Sequence, residues 1–87
     1  MVYRVELKPS ADKALGKLTW HAQRRVGERI ESLAADPRPP GVEKLAGEDE
    51  LYRVRVGEYR VLYSIRDEVL LVLVVRIGHR RDVYRGL

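Results

Sequence analysis

The sequence contains no cysteine. Disulfides, thiolate zinc sites and cysteine nucleophiles are therefore excluded, and the cytoplasm is the expected compartment. No apolar run reaches the ~18 residues a membrane-spanning helix needs, so no membrane association is expected. The opening Met1-Val2-Tyr3-Arg4-Val5-Glu6-Leu7 does not have the make-up of a signal peptide. There is no Gly-rich phosphate loop and no G-x-S-x-G or H-E-x-x-H motif. Residues 51–87 lack lysine altogether and carry no cluster of carboxylates for a two-metal site. No metal and no cofactor are expected. At 87 residues, 45% of them hydrophobic, the chain reads as one domain over 1–87 with a thin core.

What the sequence does have is arginine, unevenly placed. The formal net charge is +4. Residues 1–50 hold nine Lys/Arg and nine Asp/Glu, which cancel. Residues 51–87 hold eight arginines and four acids, so the whole excess lies there. A phosphate-rich partner would explain this asymmetry, and so would ordinary solvated charge.

Residues 2–7 alternate as a strand does. Lys8-Pro9-Ser10 breaks it, with Ser10 as N-cap and Asp12 in the first turn of a short helix. Thr19 caps a second helix. There Ala22, Val26, Ile30, Leu33 and Ala34 recur on one face, until Pro37 ends it. The two helices form an antiparallel hairpin, with Trp20 and His21 packing or capping at the joint. Residues 37–50 are a long, proline-rich connection, pinned to the core by Leu45 and Val42. Its Glu48-Asp49-Glu50 run reads as a solvated tip.

The remainder is β. Residues 51–56 and 59–66 flank Gly57-Glu58, a two-residue loop with Gly first, as a type II′ turn requires. Asp67-Glu68 is the next turn. Residues 69–77 are almost wholly apolar and should form a central strand covered on both faces, broken by Gly78. The order is β-α-α-β-β-β plus a short tail. This is an α+β fold: a mainly antiparallel sheet with the helical hairpin on one face.

The Gly57-Glu58 loop fixes a register. Val56 faces Tyr59, Arg55 faces Arg60 and Val54 faces Val61. Tyr52, Val54, Val56, Tyr59, Val61, Tyr63 and Ile65 then point to the core, and Arg53, Arg55 and Arg60 point away from it. Like charges directly across a strand pair destabilise, so convergence of three arginines without partners marks a candidate phosphate site. The tail adds His79, Arg80, Arg81 and Tyr84. Histidine moves protons near neutral pH, and tyrosine stacks on bases. If the chain is an enzyme acting on nucleic acid, these residues suit a metal-free reaction, and RNA is then the natural substrate, because its 2′-hydroxyl is a built-in nucleophile.

The segments Lys44-Leu45-Ala46-Gly47, Leu51-Tyr52-Arg53-Val54-Arg55, Glu58-Tyr59-Arg60-Val61-Leu62-Tyr63 and Gly78-His79-Arg80-Arg81-Asp82-Val83-Tyr84 resemble the RelE branch of the RelE/ParE toxin superfamily. The resemblance spans nearly the whole chain. It implies a RelE-like fold and the toxin of a type II toxin–antitoxin pair, cytoplasmic in a bacterium or archaeon. The implied activity is a ribosome-dependent endoribonuclease that cleaves mRNA in the A site, leaving a 2′,3′-cyclic phosphate. The implied partners are a RelB-like antitoxin, the ribosome and mRNA, with operator DNA met only through the antitoxin complex. By position, Arg60, Arg80, Tyr84 and His79 would be catalytic, and Arg53, Arg55 and Arg81 would bind RNA. Arginines stand at 53 and 55 where the family's founding pattern has lysines. Arginine does not give up its proton, so His79, or Tyr84 in reserve, is the expected base. The chain stops at Leu87, so the longer C-terminal helix of some members is expected to be absent. A ParE-like toxin that binds DNA gyrase is the alternative implied by the same fold.

Overall fold

A computed structural model describes residues 2–45 and 50–83. In chain order these form β1 (Arg4–Leu7), α1 (Pro9–Gly16), α2 (Trp20–Ser32), β2 (Glu43–Lys44), β3 (Leu51–Val56), β4 (Tyr59–Arg66), a 3-10 turn (Asp67–Val69) and β5 (Leu71–His79). The five strands make one sheet in the order β1-β5-β4-β3-β2. All neighbours are antiparallel except β1 and β5, which run parallel. The expected α+β architecture is observed, with one strand more than the sequence announced. That strand is β2, in the proline-rich connection. Its two residues pair with Arg53 and Tyr52, too short a stretch for alternation to reveal.

The helices pack on one face of the sheet. Ala11, Val26, Ile30 and Leu33 meet Tyr52, Val54, Val61, Tyr63, Ile65, Val72, Val74 and Ile77 in a single buried cluster. The β3 and β4 residues are those that alternation assigned to the core, with Val56 and Tyr59 packed at its margin; β5 adds Val72, Val74 and Ile77. Val42 also packs there, and Leu45 is tied by its N–H to the Leu51 carbonyl.

Several local expectations are corrected. Helix α1 starts at Pro9, and Lys8 is its N-cap without a side-chain bond. Ser10 lies inside the first turn, because proline is pre-set for the first helical position. Thr19 does cap α2, accepting from the Ala22 N–H. Trp20 does not pack at the joint: it is 71% exposed, with the Arg24 guanidinium over its ring. Strand β5 begins at Leu71, after Leu70 in the left-handed region, and runs through Gly78 to His79. It is central, but Leu71, Leu73 and Val75 on its outer face are only half-buried.

The C-terminal end of β5 sets the site. Leu62 faces Arg76, whereas the next residue, Tyr63, faces Val74, so Val75 is an extra residue on β5. This bulge brings Gly78 opposite Arg60 and His79 opposite Tyr59. The chain then turns back, with the Asp82 and Val83 N–H groups donating to the His79 carbonyl. Val83 is buried against Gly78: a Cβ there would lie 3.4 Å from Val83. Gly78 does not break the strand, and a side chain larger than a methyl group at this position would press on the returning chain at Val83.

Candidate active site at the hairpin tip

The Gly57-Glu58 loop is as read. Gly57 has φ 59, and the register pairs Val56 with Tyr59, Arg55 with Arg60 and Val54 with Val61. The three strand arginines do not share one fate. Arg53 is drawn to the added strand, where its Nη2 lies 2.7 Å from Glu43 Oε2. Arg60 turns onto the tip and donates from Nη1 to the Gly57 and Tyr59 carbonyls, at 3.1 and 3.0 Å. Arg55 is exposed, with no carboxylate within ion-pair distance among the described residues. The expected partner-free convergence of Arg53, Arg55 and Arg60 is thus not what forms. β2 was invisible to alternation, so the carboxylate it offers Arg53 was too.

A different cluster forms around Glu58. The Arg80 N–H donates to the Glu58 carbonyl at 2.8 Å, and Arg80 Nε lies 3.0 Å from Glu58 Oε2. His79 Nε2 lies 3.7 Å from the same oxygen. The His79 ring sits edge-on to Tyr59, with centroids 6.1 Å apart. Its Nδ1 accepts the Arg81 N–H at 3.3 Å. A backbone N–H can only donate, so Nδ1 carries the lone pair and the ring proton is on Nε2, facing Glu58. Arg81 itself is exposed, and Tyr84 lies outside the described residues.

The structure therefore brings together Glu58, His79 and Arg80 at the hairpin tip, and holds Arg60 on the same loop through the Gly57 and Tyr59 carbonyls, across from Arg55. Sequence reading placed Glu58 only in the turn. The signal was available in principle. An antiparallel β4–β5 pair carries the end of β5 back to the β3–β4 tip, and residue 58 must then meet residues 79–80. Chemically, a guanidinium held by a carboxylate can exchange that carboxylate for a phosphate oxygen, since its planar fork fits both.

Residues 5–84 match the family described as ParE toxin of type II toxin–antitoxin system, parDE. The chain belongs to the RelE/ParE toxin superfamily. Toxin RelG of Mycobacterium tuberculosis is 35% identical over 98% of this chain and 99% of its own. The archaeal RelE–RelB complex of Pyrococcus horikoshii contains a chain of the same fold, with TM-score 0.82 and 33% identity, covering 95% of this chain and 100% of that one. The RelBE2 toxin–antitoxin complex of Mycobacterium tuberculosis contains another, with TM-score 0.82 and 31% identity, covering 94% and 95%. The superfamily expectation from the sequence is borne out, and these relatives are RelE-type toxins. In both complexes the toxin is solved together with an antitoxin.

Proposed function

We propose that this chain is an endoribonuclease toxin that cleaves mRNA in the ribosomal A site and is held inactive by a cognate RelB-like antitoxin. The observation carrying this reading is the cluster of Glu58, His79 and Arg80 at the hairpin tip, with the Arg60 guanidinium bonded to the same loop. Similarity to the RelE of the archaeal RelE–RelB complex and to toxin RelG supports it. A scissile phosphate displaces Glu58 from Arg80 and is held by the Arg80 and Arg60 guanidinium groups. Their charge stabilises the extra negative charge that develops on phosphorus oxygens in the transition state. The freed Glu58 carboxylate takes the proton of the 2′-hydroxyl. The 2′-oxygen bonds to phosphorus and the bond to the 5′-oxygen breaks. His79 serves as donor in its doubly protonated form, taken up when Nδ1 gains a proton in place of the Arg81 bond. This imidazolium gives its Nε2 proton to the leaving oxygen and returns to the neutral ring, leaving a 2′,3′-cyclic phosphate and a 5′-hydroxyl. His79 is thus the proton donor, in place of the base expected from sequence. Tyr84, Arg53, Arg55 and Arg81 keep their proposed contacts to RNA. The site of action is the cytoplasm, where translated mRNA is found, and operator DNA is met through the antitoxin complex.

Primer extension on mRNA incubated with purified toxin, with and without ribosomes, tests this. Ribosome-dependent cuts at A-site codons are the expected result. An intact message during growth arrest refutes the nuclease. The matched ParE description favours one second reading, inhibition of DNA gyrase by protein binding. A supercoiling assay with purified gyrase reads that directly, and no inhibition is expected.

A further inference from the structure

We propose that Arg25 and Arg29 of α2 extend the candidate active site, from Arg55 of β3 outward, into an RNA-backbone track along the open edge of the sheet. The proposal deepens the nuclease reading and rests on it for the identity of the polyanion. Strand β2 covers β3 only as far as Arg53, which leaves residues 54–56 as an open edge. Two grooves run along that edge. One, of about 440 Å³, is lined by Arg25, Glu28, Arg29, Ser32, Arg55 and Gly57 among others. The next, of about 560 Å³, shares Arg29 and Arg55.

The charges lining these grooves do not balance. Glu28 is engaged by Arg24 at 3.6 Å, and Glu43 by Arg53 at 2.7 Å. Arg25, Arg29 and Arg55 have no carboxylate within ion-pair distance among the described residues. Three uncompensated guanidinium groups at one edge raise the local potential and attract anions. Their spacing favours a polyphosphate over an acidic peptide. Arg25 and Arg29 are one helical turn apart, so they stand side by side on α2, with the Ser32 hydroxyl next along the same stripe. The single interval between Arg25 and Arg29, about 5–6 Å between Cβ atoms, lets both meet neighbouring phosphates of one strand.

The track is also continuous with the hairpin tip. The Arg25 guanidinium lies over Gly57, 3.5 Å from where a Cβ would stand. Arg60 donates to the Gly57 carbonyl. One strand of RNA leaving the tip would therefore pass from Arg60 to Arg25 and on to Arg29.

The test is binding of the full chain to two probes between 50 and 200 mM salt. One is a 2′-O-methyl single-stranded oligonucleotide, which lacks the nucleophilic hydroxyl and stays uncut. The other is ribosomes without message. Arg25→Ala/Arg29→Ala should weaken binding to at least one probe by about tenfold or more at 0.1 M salt. It should also flatten the slope of log K against log salt by about 1.4 for single-stranded RNA, or about 1.8 if the contacts are to duplex. Arg25→Lys/Arg29→Lys keeps the charge and should keep most of the slope. A loss confined to the oligonucleotide identifies the message as the ligand, and one confined to ribosomes identifies ribosomal RNA. Unchanged affinity and slope for both probes, in an Ala variant with the wild-type circular dichroism spectrum, overturns the track. So does weakened antitoxin binding with RNA binding intact, which would mark the groove as a peptide site. If wild-type protein binds RNA through these arginines but cuts nothing, the nuclease reading fails and the track stands.

Discussion

Arg60 and Arg80 are restrained in different ways, yet both guanidinium groups end at the same loop. Arg60 is braced by two carbonyls and Arg80 by a carboxylate and a backbone bond. Neither bond network is buried, so truncating either residue should leave stability within about 0.5 kcal/mol. Cleavage should fall about 10²–10³-fold in Arg60→Ala and in Arg80→Ala, the cost of removing one preorganised donor from a developing oxyanion. Single-turnover cleavage alongside a thermal melt checks both at once. A variant that cuts at the wild-type rate removes its residue from the phosphate site. Glu58→Gln separates binding from chemistry. The amide still accepts from Arg80 but does not take a proton at neutral pH. Cleavage should drop about 10²-fold or more, while affinity for uncleavable RNA is kept or rises, because the phosphate no longer competes with a carboxylate.

Among the elements, the return of the chain after β5 decides whether a site exists at all. The bulge at Val75, the bare Cα of Gly78 and the buried Val83 together aim residues 79–80 at the tip. Gly78→Val should push the segment carrying Val83 off the sheet. The expected cost is about 1–3 kcal/mol in denaturant unfolding, with a loss of cleavage larger than that cost explains. At the other end of the sheet, Tyr63 is fully buried and donates to the Pro37 carbonyl at 2.7 Å. Burial pushes this phenol up to about 12, so it remains a donor throughout the working pH range. Tyr63→Phe leaves that carbonyl unsatisfied and should cost about 1–3 kcal/mol by the same measurement.

Across the whole molecule, one carboxylate fastens three distant segments. Asp67, in the turn before β5, accepts from both Arg38 Nη atoms, at 3.2 and 2.9 Å, and from the Tyr3 hydroxyl. Arg38 also donates to the Tyr52 hydroxyl and lies over its ring. The Arg38 bonds, and then the Tyr3 bond, hold the Asp67 carboxyl down to about 2. A depressed carboxylate stabilises the fold above its unfolded value near ~4, and this contribution is lost as pH falls through the folded value. Asp67→Asn should therefore lower the melting temperature at neutral pH. The gap between variant and wild type should close between about pH 4 and about pH 2. A gap that persists unchanged at pH 2 excludes titration of Asp67 as its origin.

The sequence by itself determined the periodic features: two helices, the alternation that divides β3 and β4 into a core face and an arginine face, and the two-residue turn that sets Arg55 against Arg60. Each follows from neighbours a few residues apart, where backbone period and glycine conformation leave little choice. Only the tertiary structure decided which charge meets which. Glu43 reached Arg53 through a strand two residues long, and Glu58 reached Arg80 and His79 through a pairing some twenty residues distant in the chain. Arg25 and Arg29 on α2 share a groove with Arg55 only because the open edge of β3 lies beside that helix. Charged side chains are long and take the nearest opposite charge, and nearness between segments is set by long-range register and packing, which no local pattern encodes.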